Sequence, residues 1–262
     1  MSSEKNNQSG SDQSVIRSYE TLRRAIGVLG MALPFIVSVG AYLLQRKGIQ
    51  SSVSSYYYTA ARNAFVGVLW AIGVFLAFYR GYECADSVAS NLGGIFAIGI
   101  SLFPTAPSGA ATVDEQWIGR IHFTFAALFF VTLAYMSLFL FTKTHPDKPK
   151  ITFTDYRSLV QGAKRPLDPE RGLTRRKLQR NLVYMACGGA MLFCLAFIAV
   201  FAAFLNEADT LLYGSNLVFW LEAVAIIAFG VSWLTKGEFV LGDKDTPEKA
   251  APPSAGPDIE NA

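Results

Sequence analysis

The sequence predicts an all-α fold, a polytopic membrane helix bundle with six transmembrane helices and both termini in the cytoplasm. Three observations lead there. Six long apolar runs divide the chain, the lysines and arginines between them fall almost entirely in alternate loops, and 52% of the residues are hydrophobic while only 16% are charged. Soluble domains carry about 25% charged residues. A helix rises about 1.5 Å per residue and the hydrocarbon core is about 30 Å thick, so about 17 to 25 apolar residues cross it. A membrane β-barrel would show alternating segments of about ten residues instead.

The first run, Ala25 to Leu44, follows a polar segment (residues 1–20) rich in Ser, Asn, Gln and Gly that reads as disordered. Leu43, Leu44, Gln45 and Arg46 offer no small-residue cleavage site, so the run reads as a retained signal anchor. The second run, Asn63 to Tyr79, and the third, Val88 to Phe103, are short. Flanking Arg62, Tyr82, Asp86 and Thr105 extend them into the headgroup zones, where snorkelling side chains and aromatic rings are tolerated. The fourth, fifth and sixth runs, Ile121 to Phe141, Leu182 to Leu205 and Leu217 to Leu234, are long enough unaided. Between the fourth and fifth lies a basic loop, residues 142–180, with Pro146, Pro149, Pro166 and Pro169. These prolines argue against one continuous helix and for an irregular connection with a short amphipathic helix near Leu173 to Arg180. The helical domain therefore covers residues 21–240, and the proline-rich segment 241–262 reads as a second disordered tail.

Orientation follows from the basic residues, because positive loops resist translocation. Nineteen lysines and arginines fall before the first run, between the second and third, between the fourth and fifth, and after the sixth. The opposite side has Arg46, Lys47, Arg62 and Arg120, and its loops carry Asp114, Glu115, Glu207 and Asp209. The net charge of +3 hides this asymmetry, which suits an anionic inner leaflet. The cluster Arg171, Arg175, Arg176, Lys177 and Arg180 is explained by topology, so no nucleic-acid partner is expected. The expected partners are membrane lipids and a small-molecule or lipid ligand.

Several chemistries are excluded or unsupported. Two histidines, His122 and His145, cannot form a three-histidine zinc site, and His145 belongs to the cytoplasmic side, so a two-histidine haem cannot be assembled either. No metal or cofactor is expected. Cys84, Cys187 and Cys194 match no metal motif and read as helix-bundle packing. There is no phosphate-binding glycine loop, and no inverted repeat of the transporter type. Small residues at four-residue spacing, Gly67 and Ala71, Gly93, Ala97 and Ser101, and Ala186 and Ala190, predict close helix approach at those positions.

The polar residues that interrupt the apolar runs are the candidate site. Arg62 opens the second run, Arg120 and His122 lie at the start of the fourth, and Trp220 and Glu222 lie near the start of the sixth. With both termini inside, all fall in the outer half of the membrane. An ionisable side chain facing lipid costs several kcal/mol, so Glu222 is expected to face the bundle interior, with Arg62 and His122 as the nearest partners. Beside them runs Gln50-Ser51-Ser52-Val53-Ser54-Ser55-Tyr56-Tyr57-Tyr58-Thr59, which reads either as an aromatic belt or as a rim over a polar pocket. The ligand-binding candidates are Tyr57, Arg62, Arg120, His122, Trp220 and Glu222; His122 and Glu222 are also the catalytic candidates.

The strings Ser-Ser-Tyr-Tyr-Tyr-Thr-Ala-Ala-Arg at 54–62, Phe-Val-Gly at 65–67, Ala-Ile-Gly-Val-Phe-Leu at 71–76, Phe-Pro-Thr at 103–105, Phe-Trp-Leu-Glu at 219–222 and Trp-Leu-Thr-Lys-Gly-Glu at 233–238 carry a resemblance. From Tyr56 to Glu238 the chain resembles a family of uncharacterised bacterial multi-pass membrane proteins of the DUF998 type. The resemblance implies a bacterial inner-membrane setting and no particular activity. Three readings stay open: a non-enzymatic binder or transporter of a lipid headgroup or small solute, a membrane-embedded lipid hydrolase or transferase using His122 and Glu222, and a purely structural protein in which Glu222 pairs to hold helices in register.

Overall fold

A computed structural model describes residues 2–81, 83–107, 111–143, 175–204, 216–237 and 239–241. Among them every regular element is helical. Helix α1 (Ser2–Gln45) contains the first apolar run and continues upstream through the segment expected to be disordered. The physical reason is cooperativity: once an apolar nucleus exists, each added residue gains a hydrogen bond at little further cost. Arg46 ends α1 in the left-handed region, φ 54°, its N–H donating to the Tyr42 carbonyl at 2.9 Å. After a short 3-10 turn, Ser54–Tyr58, helix α2 (Arg62–Phe78) follows with 17 residues. It takes in the flanking Arg62 as expected but stops one residue short of the run's other end, because Tyr79 turns away in an extended conformation and packs edge-on against Trp233, ring centroids 5.0 Å apart.

Helix α3 (Cys84–Leu102) does extend beyond its run, to 19 residues, because the Asp86 carboxylate accepts the Glu83 N–H at 3.0 Å and caps the first turn. Helix α4 (Val113–Tyr135) begins earlier than the apolar run. Thr112 and Glu115 form a reciprocal cap, Thr112 N–H donating to Glu115 Oε2 at 2.8 Å and Glu115 N–H to Thr112 Oγ1 at 3.3 Å. Asp114 and Glu115, expected in a loop, therefore occupy a first helical turn, where the helix dipole favours them. A π-helical turn, Met136–Leu140, finishes this helix. Helix α5 (Arg175–Phe204) joins the short basic helix and the fifth run into one element of 30 residues, and helix α6 (Leu217–Lys236) follows its run closely. The prolines of the preceding loop lie outside the described residues.

Each helix packs on its neighbours in sequence, and α6 returns to α1, so the six form a closed ring. Five are long and apolar enough to cross a membrane, and α2 is a shorter apolar helix. The outward faces are apolar as well: Phe78 is 71% and Phe193 64% exposed. Such continuous apolar surface is foreign to a soluble protein and is what a multi-pass membrane protein presents to lipid.

Helices in lipid gain nothing from burying apolar surface against one another, so close backbone approach carries the packing. The closest approaches are at glycines other than those the spacing singled out. A methyl group on Gly230 would lie 2.3 Å from Met31 Cγ and 2.7 Å from the Gly27 carbonyl oxygen, across the α1–α6 seam. On Gly94 it would lie 2.6 Å from the Gly73 oxygen, between α2 and α3. Gly67 meets nothing within 4 Å, and Ala186 is exposed, so those two positions are not interface residues. Gly93, Ala97 and Ser101 are buried as expected. Cys187 and Cys194 lie in the core, while Cys84 is exposed.

One buried polar cluster joins three helices. The Ser137 hydroxyl, within the π-helical turn, donates to the Tyr184 carbonyl of α5 at 2.8 Å and lies 2.8 Å from Ser232 Oγ of α6. The glycine contacts make a paired test. Gly230→Ala should destabilise the protein in detergent by about 1–3 kcal/mol through overpacking. Gly67→Ala should leave the melting temperature unchanged or raise it, since Ala is about 1 kcal/mol better in a helix; equal losses at both positions would contradict the seam.

Candidate functional site

The segment between α1 and α2 folds over one end of the ring as a clasp. Tyr56 is fully buried; its hydroxyl donates to Ser38 Oγ at 3.2 Å and its ring rests against Phe219, centroids 6.1 Å apart. Tyr58 donates to the Thr105 carbonyl at 2.7 Å and ties the clasp to the segment after α3. Burial, then the Glu115 carboxylate and the neighbouring Tyr57, hold the Tyr58 hydroxyl above its ordinary pKa against the lowering effect of Arg62, so it stays a neutral donor.

The clasp and α6 hold each other in both directions. Phe219 N–H, an unpaired donor of the first turn of α6, donates to the Ser51 carbonyl at 3.0 Å. In return Glu222 Oε2 accepts the N–H groups of Val53 at 2.6 Å and Ser54 at 3.3 Å. Glu222 does face the bundle interior as expected, but its partners are backbone donors. Arg62 and His122, the partners expected from sequence, are engaged elsewhere: a carboxylate can be satisfied by any correctly aimed donor, and the tight turn at 53–54 aims two.

His122 is buried, and its Nδ1 lies 2.7 Å from the Phe103 carbonyl oxygen. A carbonyl only accepts, so Nδ1 carries the proton. No hydrogen bond joins His122 to Glu222. Arg62 is exposed, with its guanidinium 4.1 Å from the centre of the Tyr57 ring and bonded to the Tyr57 hydroxyl. Arg120 likewise covers the Trp117 ring at 4.8 Å. Trp220 is 54% exposed and stacks edge-on with Phe219. The six candidates thus separate into an outer set, exposed Arg62, Arg120 and Trp220 with half-buried Tyr57, and two inward groups, His122 and Glu222, on different partners.

Beneath the clasp, in the middle of the ring, lies a cavity of about 40 Å³. At about 10–15 Å³ for each water, it has room for about three. Leu33, Leu69, Ile72, Phe129 and Ile226 make most of its wall apolar, and Glu222 and Ser54 supply the polar end. Of the six candidates, Glu222 is the one that lines it. Sequence reasoning missed Tyr56 and Ser38, which seat the clasp; Tyr56 was visible only as one of three consecutive tyrosines, with nothing to say which would turn inward. Among the described residues, no group of three His, Cys, Asp or Glu side chains is placed to hold a metal ion.

Comparison of the chain with protein-family models, with curated proteins and with solved structures finds no match.

The clasp is tested by hydrogen exchange at the Val53 and Ser54 amides. Hydrogen bonds to a charged group contribute about 1.5–3 kcal/mol, so Glu222→Ala should speed their exchange about tenfold or more. Glu222→Gln keeps a carbonyl acceptor and should retain most of the protection. Unchanged exchange in Glu222→Ala would show that Glu222 does not hold the segment.

Proposed function

We propose that this chain is a non-enzymatic six-span protein of a bacterial inner membrane that binds or transports a small ligand beneath the clasp, with Glu222 as the polar anchor. Its termini are cytoplasmic, and the clasp faces outward. The one-sided distribution of basic residues supports the orientation, and α2 completes the count as a short sixth span. The bacterial setting rests on the sequence strings quoted above, since no family model matches the chain.

The observation that carries the binding reading is a carboxylate at the end of an otherwise apolar cavity, with no cation among the described lining residues. An anionic headgroup would be repelled there. The ligand class is accordingly a small molecule or headgroup with an apolar body and a cationic or hydrogen-bond-donating end, which an acceptor in low dielectric holds strongly. The competing hydrolase or transferase needs His122 and Glu222 to act together. The Nδ1–H of His122 is bonded to the Phe103 carbonyl and Glu222 Oε2 to the clasp, with no hydrogen bond between the two side chains; Glu222 Oε1 remains to meet a ligand.

Ethylamine and acetate are suitable probes, because both approach the size of about three waters and they differ in the sign of the end group. Ethylamine should raise the melting temperature of the purified protein at neutral pH and acetate should not, since a ligand stabilises only the state that binds it. The ethylamine shift should be lost in Glu222→Gln and in Ala126→Leu, which fills the cavity wall. Equal shifts in the wild type and both variants would refute the cavity as the site. Cellular lipid composition should be unchanged by His122→Gln; accumulation of an uncleaved lipid would favour the enzyme instead.

A further inference from the structure

The clasp and the cavity beneath it share a single carboxylate. Glu222 Oε2 accepts the Val53 N–H at 2.6 Å and the Ser54 N–H at 3.3 Å, while Oε1 makes no hydrogen bond among the described residues. Val53 and Ser54 also line the cavity, so the turn held by one oxygen forms part of the wall beside the other. Among the described residues, one further hydrogen bond ties residues 51–55 to the bundle, from the Phe219 N–H to the Ser51 carbonyl at 3.0 Å. All three bonds run to α6, and two of them depend on the charge of Glu222.

The turn is braced within itself. Ser55 Oγ lies 2.7 Å from Ser52 Oγ and 3.0 Å from Ser51 Oγ, and Ser52 Oγ accepts the Ser55 N–H at 2.9 Å. None of these bonds involves α6, so the turn keeps its shape when α6 lets go. Both of its ends are tied to Tyr56, Ser55 through the chain and Gln50 through its N–H, 3.3 Å from the Tyr56 hydroxyl. Tyr56 is fully buried with that hydroxyl on Ser38, which makes it a fixed pivot. Val53 is buried as well, and its apolar contact favours the closed turn while the cavity is empty.

We infer that the clasp is a latch released by the ligand: an ammonium group on Glu222 Oε1 weakens the hold of Oε2 on Val53 and Ser54, and residues 51–55 loosen from α6. The inference rests on the reading of Glu222 as the anchor for a cationic ligand. Hydrogen bonds to an ionised acceptor are about twice as strong as neutral ones, and a cation on one oxygen offsets the charge that strengthens the bonds on the other. The Phe219 bond to Ser51 involves no charged group and remains as the tie. Coupling of this kind is reciprocal, so the closed latch lowers the affinity for the ligand by the same factor by which the ligand loosens the latch. Occupancy of an interior cavity is thereby transmitted to the end of the bundle, where Ser51 is exposed.

The test is amide hydrogen exchange of the full chain in nanodiscs, with and without saturating ethylamine, read beside the melting temperature. Ethylamine should raise the melting temperature and, at the same time, speed exchange at Val53 and Ser54 about threefold or more, as charge-assisted bonds become ordinary ones. A melting shift with unchanged or slower exchange at these two amides overturns the latch and leaves the binding reading standing. Absence of any melting shift overturns both. Val53→Pro supplies a second measurement: Val53 has φ −63°, the angle a proline ring imposes, so the change removes one N–H donor and suits the backbone. Against Val53→Ala, which trims the same side chain and keeps the N–H, Val53→Pro should bind ethylamine about threefold more tightly, by the reciprocity of the coupling. Equal or weaker binding in a folded Val53→Pro overturns the inference, and where that variant fails to fold, exchange in the unaltered chain decides.

Discussion

Gly27 and Gly230 approach so closely across the α1–α6 seam that a methyl group on either would meet backbone atoms. In lipid this contact has no hydrophobic drive to help it, so it depends on the absence of side chains. The remaining arrangement follows from it. The two helices run antiparallel, with Gly27 beside Leu234 and Gly30 beside Phe229. The seam therefore carries Glu222 to the segment that follows α1 and brings the end of α6 back to the start of α1. Arg24 Nε, donating to the Gly237 carbonyl at 3.0 Å, closes it at one end, and the Glu222 bonds to Val53 and Ser54 close it at the other.

The two ends of the ring have opposite electrostatic character for the same reason. At one, the backbone N–H groups of a turn converge on a carboxylate over a small apolar cavity. At the other, cations from three helices and from the segment after α4 line a larger polar one. Aromatic side chains lie between them, Phe129 against Phe229 and Trp233 against Phe141 and Tyr79, so the ring is packed through its middle. The buried serine pair, Ser137 and Ser232, lies in this packed region, where an unpaired hydroxyl would be costly and a mutual bond resolves both.

Gly67 has the right spacing for a helix contact but faces open space, while Gly230, with no comparable small partner four residues away, is pinned against backbone. Spacing defines a face of a helix, yet which face turns inward depends on where the neighbouring helices sit. Likewise Arg62 was a reasonable partner for Glu222 by charge and depth. Its guanidinium instead settles on the adjacent Tyr57 ring, a partner five residues away that involves no third helix.

The sequence alone determined the all-helical character and closely where each apolar helix ends, though not where most of them begin, because a run of apolar residues must satisfy its own backbone hydrogen bonds in lipid, while the polar turns that start a helix depend on caps. It also singled out Glu222, since a carboxylate in an apolar helix has to face inward. The partners of Glu222, the inward turn of Tyr56, the glycine seam and the convergence of Arg23, Lys143, Lys177, Arg180 and Lys236 on one cavity were decided only by tertiary structure. They join residues as far apart as Val53 and Glu222, and the periodicity of a single helix carries no information about what lies opposite it.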